Sequence, residues 1–186
     1  MRICLTGTHG CGKTTLLKGL KEKLPNYDIQ IESLTRKAVS GADKLNFSTT
    51  DESERLISKL YMDSFLKAPV NFIASRGMVD VLAYSLYLRK VNKNISEDTI
   101  LMLEDLIEKI KTEKIFDLVV YIPIEFDLTK EEIEKEFREG QTNKKYQKDI
   151  DTIIKFLLWA YDIPYITITG SVDERVQQVL SHINGK

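Results

Sequence analysis

Gly7-Thr8-His9-Gly10-Cys11-Gly12-Lys13-Thr14 fits the pattern G-x-x-x-x-G-K-[ST]. Each fixed position in that pattern answers to phosphate chemistry. Glycines let the backbone curl until its N–H groups point at anionic oxygens. Lys13 brings a mobile positive charge to β- and γ-phosphates, and Thr14 offers a hydroxyl to Mg²⁺. A helix opening at the same place aims the positive end of its dipole at the same anion. The pattern predicts a P-loop that cradles Mg-ATP with Thr8, His9, Gly10, Cys11, Gly12, Lys13, Thr14 and Thr15, Thr14 facing the metal.

Such a loop needs a strand before it and a helix after it. The apolar run 1–6 reads as a buried strand, and Leu16, Leu17, Leu20 and Leu24 recur at helical spacing before Pro25. Further strands are expected at 28–32, 70–74, 116–122 and 163–169. Helices are expected at 33–39, 51–67, 79–91, 96–114 and 143–161. Ser171-Val172-Asp173-Glu174 reads as a capping box that opens a last helix. Alternating strands and helices predict an α/β protein with three layers, a five-stranded parallel sheet with helices on both faces. The C-terminal ends of all five strands then share one edge, where ligands bind.

Chemistry-bearing residues gather after the strands on that edge. Arg76, just past the third strand, can fork onto a phosphate of either substrate. Asp80 lies one helical turn further on; it either reaches Mg²⁺ through water, contacts the acceptor, or caps its helix. Glu32, closing the second strand, can take a proton from an acceptor hydroxyl, or else is an exposed polar residue at a strand end. Arg36, one turn beyond it, can clamp an acceptor anion, or else faces solvent. The segment 124–148 carries Arg138, Lys144, Lys145 and Lys148 and reads either as a lid closing over ATP or as a solvated surface. Arg138, beside Gly140 at a break in helical pattern, is the strongest candidate there.

Bulk properties narrow the classes. The 186 residues suffice for a single domain, 1–186, with a full core. A net charge of −1 gives no global pull toward nucleic acid or anionic membrane, so nucleic acid would require a local groove. The sequence opens directly on a strand and the glycine-rich loop, so no secretory leader is expected. No apolar run approaches the roughly 20 residues of a membrane span. A cytoplasmic protein is expected. Cys4 and Cys11 do not make a disulfide framework; Cys4 is expected in the sheet and Cys11 as a small side chain in a tight loop.

The P-loop, the stretch from Phe72 to Tyr84 with Arg76 and Asp80, and Tyr121-Ile122-Pro123-Ile124-Glu125-Phe126-Asp127 together resemble the nucleoside and nucleotide kinase group of P-loop proteins. More narrowly the chain is similar to small ATPase-like kinases common in phage genomes and related to the nicotinamide riboside kinase domain. That resemblance implies a P-loop NTPase fold and a phosphotransferase using ATP and Mg²⁺. A phage source would place it in host cytoplasm. It also marks a departure: the family usually has Asp immediately before the strand-three arginine, and here Ser75 stands there.

Three functional classes follow. The first is transfer of the γ-phosphate of Mg-ATP to a nucleoside or nucleotide, catalysed through Lys13, Arg76, Asp80, Glu32 and Arg138, with a variant that acts on a modified base in nucleic acid. The second is an ATPase or nucleotide-binding switch, and the third a binding module with little turnover. Asn143-Lys144-Lys145-Tyr146 lacks the aspartate of a guanine-reading N-K-x-D, which counts against a GTPase. A monophosphate, with a second pKa near 6, is largely deprotonated at neutral pH and has less need of a base. Ser75 therefore tilts the reading toward a phosphorylated acceptor.

Overall fold

The structure, a computed structural model, describes residues 1–30, 49–125 and 144–185. Five parallel strands form one sheet in the order β2-β3-β1-β4-β5: β1 (Arg2–Thr6), β2 (Asp28–Ile29), β3 (Phe72–Ala74), β4 (Leu118–Tyr121) and β5 (Tyr165–Thr167). Cys4 pairs with Ala74 on one side and with Val119 on the other, so β1 is the central strand. On one side of β1 the chain places β2 at the edge and then β3 between the two, and it crosses over to the other side for β4 and β5. The P-loop leaves the strand at which that direction reverses, the position where open α/β sheets bind ligands.

Six helices are described: α1 (Lys13–Lys23), α2 (Asp51–Lys67), α3 (Met78–Asn92), α4 (Glu97–Thr112), α5 (Lys144–Ala160) and α6 (Val172–Asn184). Period-two alternation along the strands sorts side chains into two cores. Ile3, Leu5, Ile73, Leu118 and Val120 face α1 and α6, packing on Leu16, Leu20, Val176 and Val179. Phe72, Ala74 and Tyr121 face the other way, toward Phe65, Leu82, Leu103 and Ile154 of α2 to α5. The three-layer α/β expectation holds.

Helix starts follow their sequence signals. Thr50 and Ser53 form a capping box on α2, Ser96 accepts the N–H of Thr99 on α4, and Ser171 with Glu174 closes the expected capping box on α6. The expected helix 33–39, with Glu32 before it and Arg36 on it, lies outside the described residues, as does Arg138. Only the ends of the expected lid are described. Residues 144–148 begin α5, where Lys144, Lys145 and Lys148 are exposed while Tyr146 and Gln147 are buried. Among the described residues no helix is long and apolar enough to cross a membrane.

Candidate nucleotide site

The P-loop closes through three glycines in backbone regions that L side chains resist: Gly7 at φ 149°, Gly10 at 71° and Gly12 at 95°. At Gly7 space is as limiting as conformation. A Cβ there would lie 2.5 Å from the Ile122 carbonyl oxygen and 2.9 Å from Cys11 Sγ. Gly12 is the left-handed N-cap of α1. Thr14 and Thr15 are exposed on the first turn of that helix, at the positive end of its dipole. Lys13 is only 8 % exposed. Its ammonium donates to the carbonyls of Gly7 and Thr8, the latter at 2.7 Å, and lies 3.5 Å from Cys11 Sγ.

Asp80 is fully enclosed, at 0 % exposure. One carboxylate oxygen accepts the N–H of Gly7 and the other that of Gly77, each at 3.1 Å. It thereby ties the start of the P-loop to the start of α3. Gly77 must be small because a Cβ there would meet Cys4 Sγ at 2.6 Å. Cys4 is buried in the sheet as expected, and burial first, then the Asp80 charge, pushes its thiol well above its ordinary pKa.

Arg76 lies with its guanidinium carbon 5.3 Å from the centre of the Tyr84 ring, a cation–π distance. The Tyr84 hydroxyl accepts the N–H of His9 at 3.0 Å and lies 2.9 Å from His9 Nδ1. Tyr84 therefore links the arginine after β3 to the P-loop. On its other side the His9 ring lies 5.1 Å from that of Tyr146, and Gln147 Nε2 donates to the His9 carbonyl at 2.8 Å. Burial lowers the His9 pKa to about 3, helped by the charges of Arg76 and Lys13, so the imidazole is neutral at physiological pH.

Three buried residues around the site were not anticipated. Arg175 of α6 reaches the back of the P-loop: Nη1 donates to the Cys11 carbonyl at 2.8 Å and Nη2 to Glu125 at 2.7 Å. Gln147 of α5 holds the His9 carbonyl. Glu54 of α2 is 5 % exposed, and burial raises its pKa to about 7, against a lowering hydrogen bond from Ser85 and with a smaller raising contribution from Asp51. Each carried a sequence signal. Arg175 is in register with Val172 and Val179, Gln147 with Ile150 and Ile154, and Glu54 with Ile57 and Tyr61. A polar residue inside an apolar helical stripe is buried by its neighbours and must find a partner.

The arrangement is a glycine-rich loop at a helix start with Lys13, Thr14 and Arg76 brought to one sheet edge. The family described as an AAA domain matches residues 2–175. No curated protein matches the chain in sequence. Among solved structures, a deoxyadenosine kinase from M. mycoides with bound dATP superposes with a TM-score of 0.74 at 17% identity, covering 99% of each chain. The NadR protein in complex with NAD and AMP-PNP gives 0.70 at 14% identity, over 100% of this chain and 49% of its own. A thymidylate kinase from Candida albicans gives 0.60 at 17% identity, over 99% and 91%.

Proposed function

Because the chain belongs to this AAA-domain family and has the fold of P-loop nucleoside and nucleotide kinases, we propose that it transfers the γ-phosphate of ATP to a nucleoside or nucleotide. The observation that carries this reading is the link through Tyr84. Its hydroxyl holds the P-loop amide of His9 while its ring carries Arg76, so a second cation stands beside the P-loop.

In the proposed reaction an acceptor oxygen bonds to the γ-phosphorus as the bond from that phosphorus to the β–γ bridging oxygen breaks, and ADP leaves. Catalysis of such a step is mostly positioning and charge stabilisation. The P-loop amides and Lys13 hold the β- and γ-oxygens. Arg76 neutralises charge on the transferring group or on an acceptor phosphate, and Arg138 adds a further cation. Asp80 acts by positioning, since both its oxygens hold backbone amides. With a hydroxyl acceptor, Glu32 takes the proton; a monophosphate acceptor arrives largely deprotonated.

Mg²⁺ fits the donors present. It takes hard oxygens and keeps several waters, sharing substrate phosphates. Thr14 offers an exposed hydroxyl, and the buried Ser75 hydroxyl beside Arg76 has no partner among the described residues. When bound, the ion neutralises charge on the β- and γ-oxygens. Hydroxyl rather than carboxylate chemistry at Ser75 favours a phosphorylated acceptor.

ADP release from Mg-ATP, measured against nucleosides, nucleoside monophosphates, nicotinamide riboside and oligonucleotides with Lys13→Ala as the blank, tests the reading. Acceptor-dependent release above the blank supports it and identifies the acceptor class. Release at the same rate with every acceptor and with none overturns it in favour of an ATPase.

A further inference from the structure

The P-loop is held in shape from outside as well as by its glycines. In a planar trans peptide the carbonyl of one residue and the N–H of the next point in opposite directions, and no described peptide is cis. One stretch of the loop displays this alternation at both ends. The Thr8 carbonyl turns to the Lys13 ammonium at 2.7 Å, and the following N–H, of His9, turns away to Tyr84 at 3.0 Å. Two carbonyls have the reverse sense. That of His9 turns out to Gln147 of α5 at 2.8 Å, and that of Cys11 turns out to Arg175 of α6 at 2.8 Å. The N–H groups that follow them, of Gly10 and Gly12, are therefore turned away from Gln147 and Arg175.

We propose that Arg175 is a positioning residue for phosphate binding: by holding the Cys11 carbonyl it keeps the Gly12 N–H directed into the cradle. The inference rests on the reading that this loop holds nucleotide phosphates.

The guanidinium is itself fixed. It is 2 % exposed, and Glu125, which orients its other end at 2.7 Å, also accepts the N–H of Gly170 at 2.7 Å. A buried guanidinium is sustained only by such pairing. Its backing is close: a Cβ on Gly12 would lie 3.1 Å from Nη1. Gly12 is left-handed at φ 95°, a conformation in which several orientations of its flanking peptides are open to a glycine. An external hydrogen bond from a charged donor selects one of them.

Calorimetric binding of inorganic tripolyphosphate and of ATP to the full chain tests this, using wild type, Arg175→Met, Arg175→Lys, Glu125→Gln and Val179→Ala. Tripolyphosphate reads the cradle without the nucleoside. Arg175→Met is expected to weaken it about tenfold or more. Arg175→Lys is expected to restore part of the affinity, because one ammonium can replace one of the two contacts. Val179→Ala opens a cavity one turn further along the same helix without touching the Cys11 carbonyl bond, and is expected to stay within about twofold of wild type while lowering stability. Wild-type affinity in Arg175→Met, or an equal loss in Val179→Ala, overturns the proposal while leaving the kinase reading intact. If Arg175→Met does not fold, Glu125→Gln decides: it keeps the guanidinium but loosens its orientation, and unchanged tripolyphosphate affinity overturns the proposal. A wild type that binds neither ATP nor tripolyphosphate overturns both readings.

Discussion

Asp80 accepts the N–H of Gly7 at 3.1 Å across 73 residues of sequence, and its second oxygen accepts that of Gly77 at the same distance. One carboxylate thus fixes the distance between the P-loop after β1 and the helix start after β3.

Asp80→Ala strands two buried amides at once and is expected to cost about 2–4 kcal/mol of stability. Asp80→Asn keeps one acceptor and turns an amide N–H against the other backbone donor, so its cost falls between wild type and alanine. Urea denaturation midpoints check the order. Equal midpoints for wild type and Asp80→Ala would reject the tie between the two loops.

Glu54 makes stability depend on pH in a direction opposite to that of an ordinary paired carboxylate. Its pKa rises from 4.5 to about 7 on folding, first because burial disfavours the charge. Below 4.5 both folded and unfolded chains carry the proton and the contribution is fully present. As pH rises to about 7 the unfolded chain ionises first, and up to about 3 kcal/mol is lost. Glu54→Gln is expected to match wild type at acidic pH and to exceed it by roughly 1–3 kcal/mol above neutrality. A difference between the two proteins that does not grow with pH would show that Glu54 ionises freely in the fold.

His9 behaves in the opposite sense. Its pKa falls from 6.5 to about 3, through burial and then the charges of Arg76 and Lys13. Its contribution is complete above 6.5 and is lost as pH falls toward about 3. The His9 ring resonances are expected to stay constant between about pH 5 and 8, where an unperturbed imidazole titrates. Tyr84→Phe removes the acceptor for the His9 N–H and is expected to cost about 1 kcal/mol and to weaken ATP binding. A titration of His9 near its ordinary value would contradict the enclosed position of the ring.

Gly7→Ala combines a left-handed backbone requirement with a Cβ 2.5 Å from the Ile122 carbonyl. Because that neighbour is backbone, it cannot rotate aside. The variant is expected to lose more than about 2 kcal/mol, read as a lower thermal midpoint, and to lose ATP affinity with it. Wild-type stability in Gly7→Ala would mean that the loop has another conformation open to it.

What the sequence makes legible here is local. The P-loop from Gly7 to Thr14, the apolar periods of β1 and α1, and the Ser171–Glu174 cap are each specified by residues a few positions apart. The strand order is not of this kind, because Phe72 and Leu118 carry the same apolar signal whichever neighbour they pair with. Asp80 could be read either as a metal or acceptor contact or as a cap, and the fold brings its free oxygen to Gly7, 73 residues away. Arg175, Gln147 and Glu54 sit in apolar stripes that flag burial. The Cys11 and His9 carbonyls that Arg175 and Gln147 hold are supplied only by packing of one helix on another element.

The contact between Arg175 and Cys11 spans 164 residues. On a ribosome adding about 5–20 residues per second, the P-loop is made roughly 10–30 s before the side chain that holds its outer carbonyl. During that interval the nascent chain carries its most recognisable motif without the arginine that backs it. On the proposed reading of Arg175, the loop is expected to grip phosphate fully only once α6 has docked.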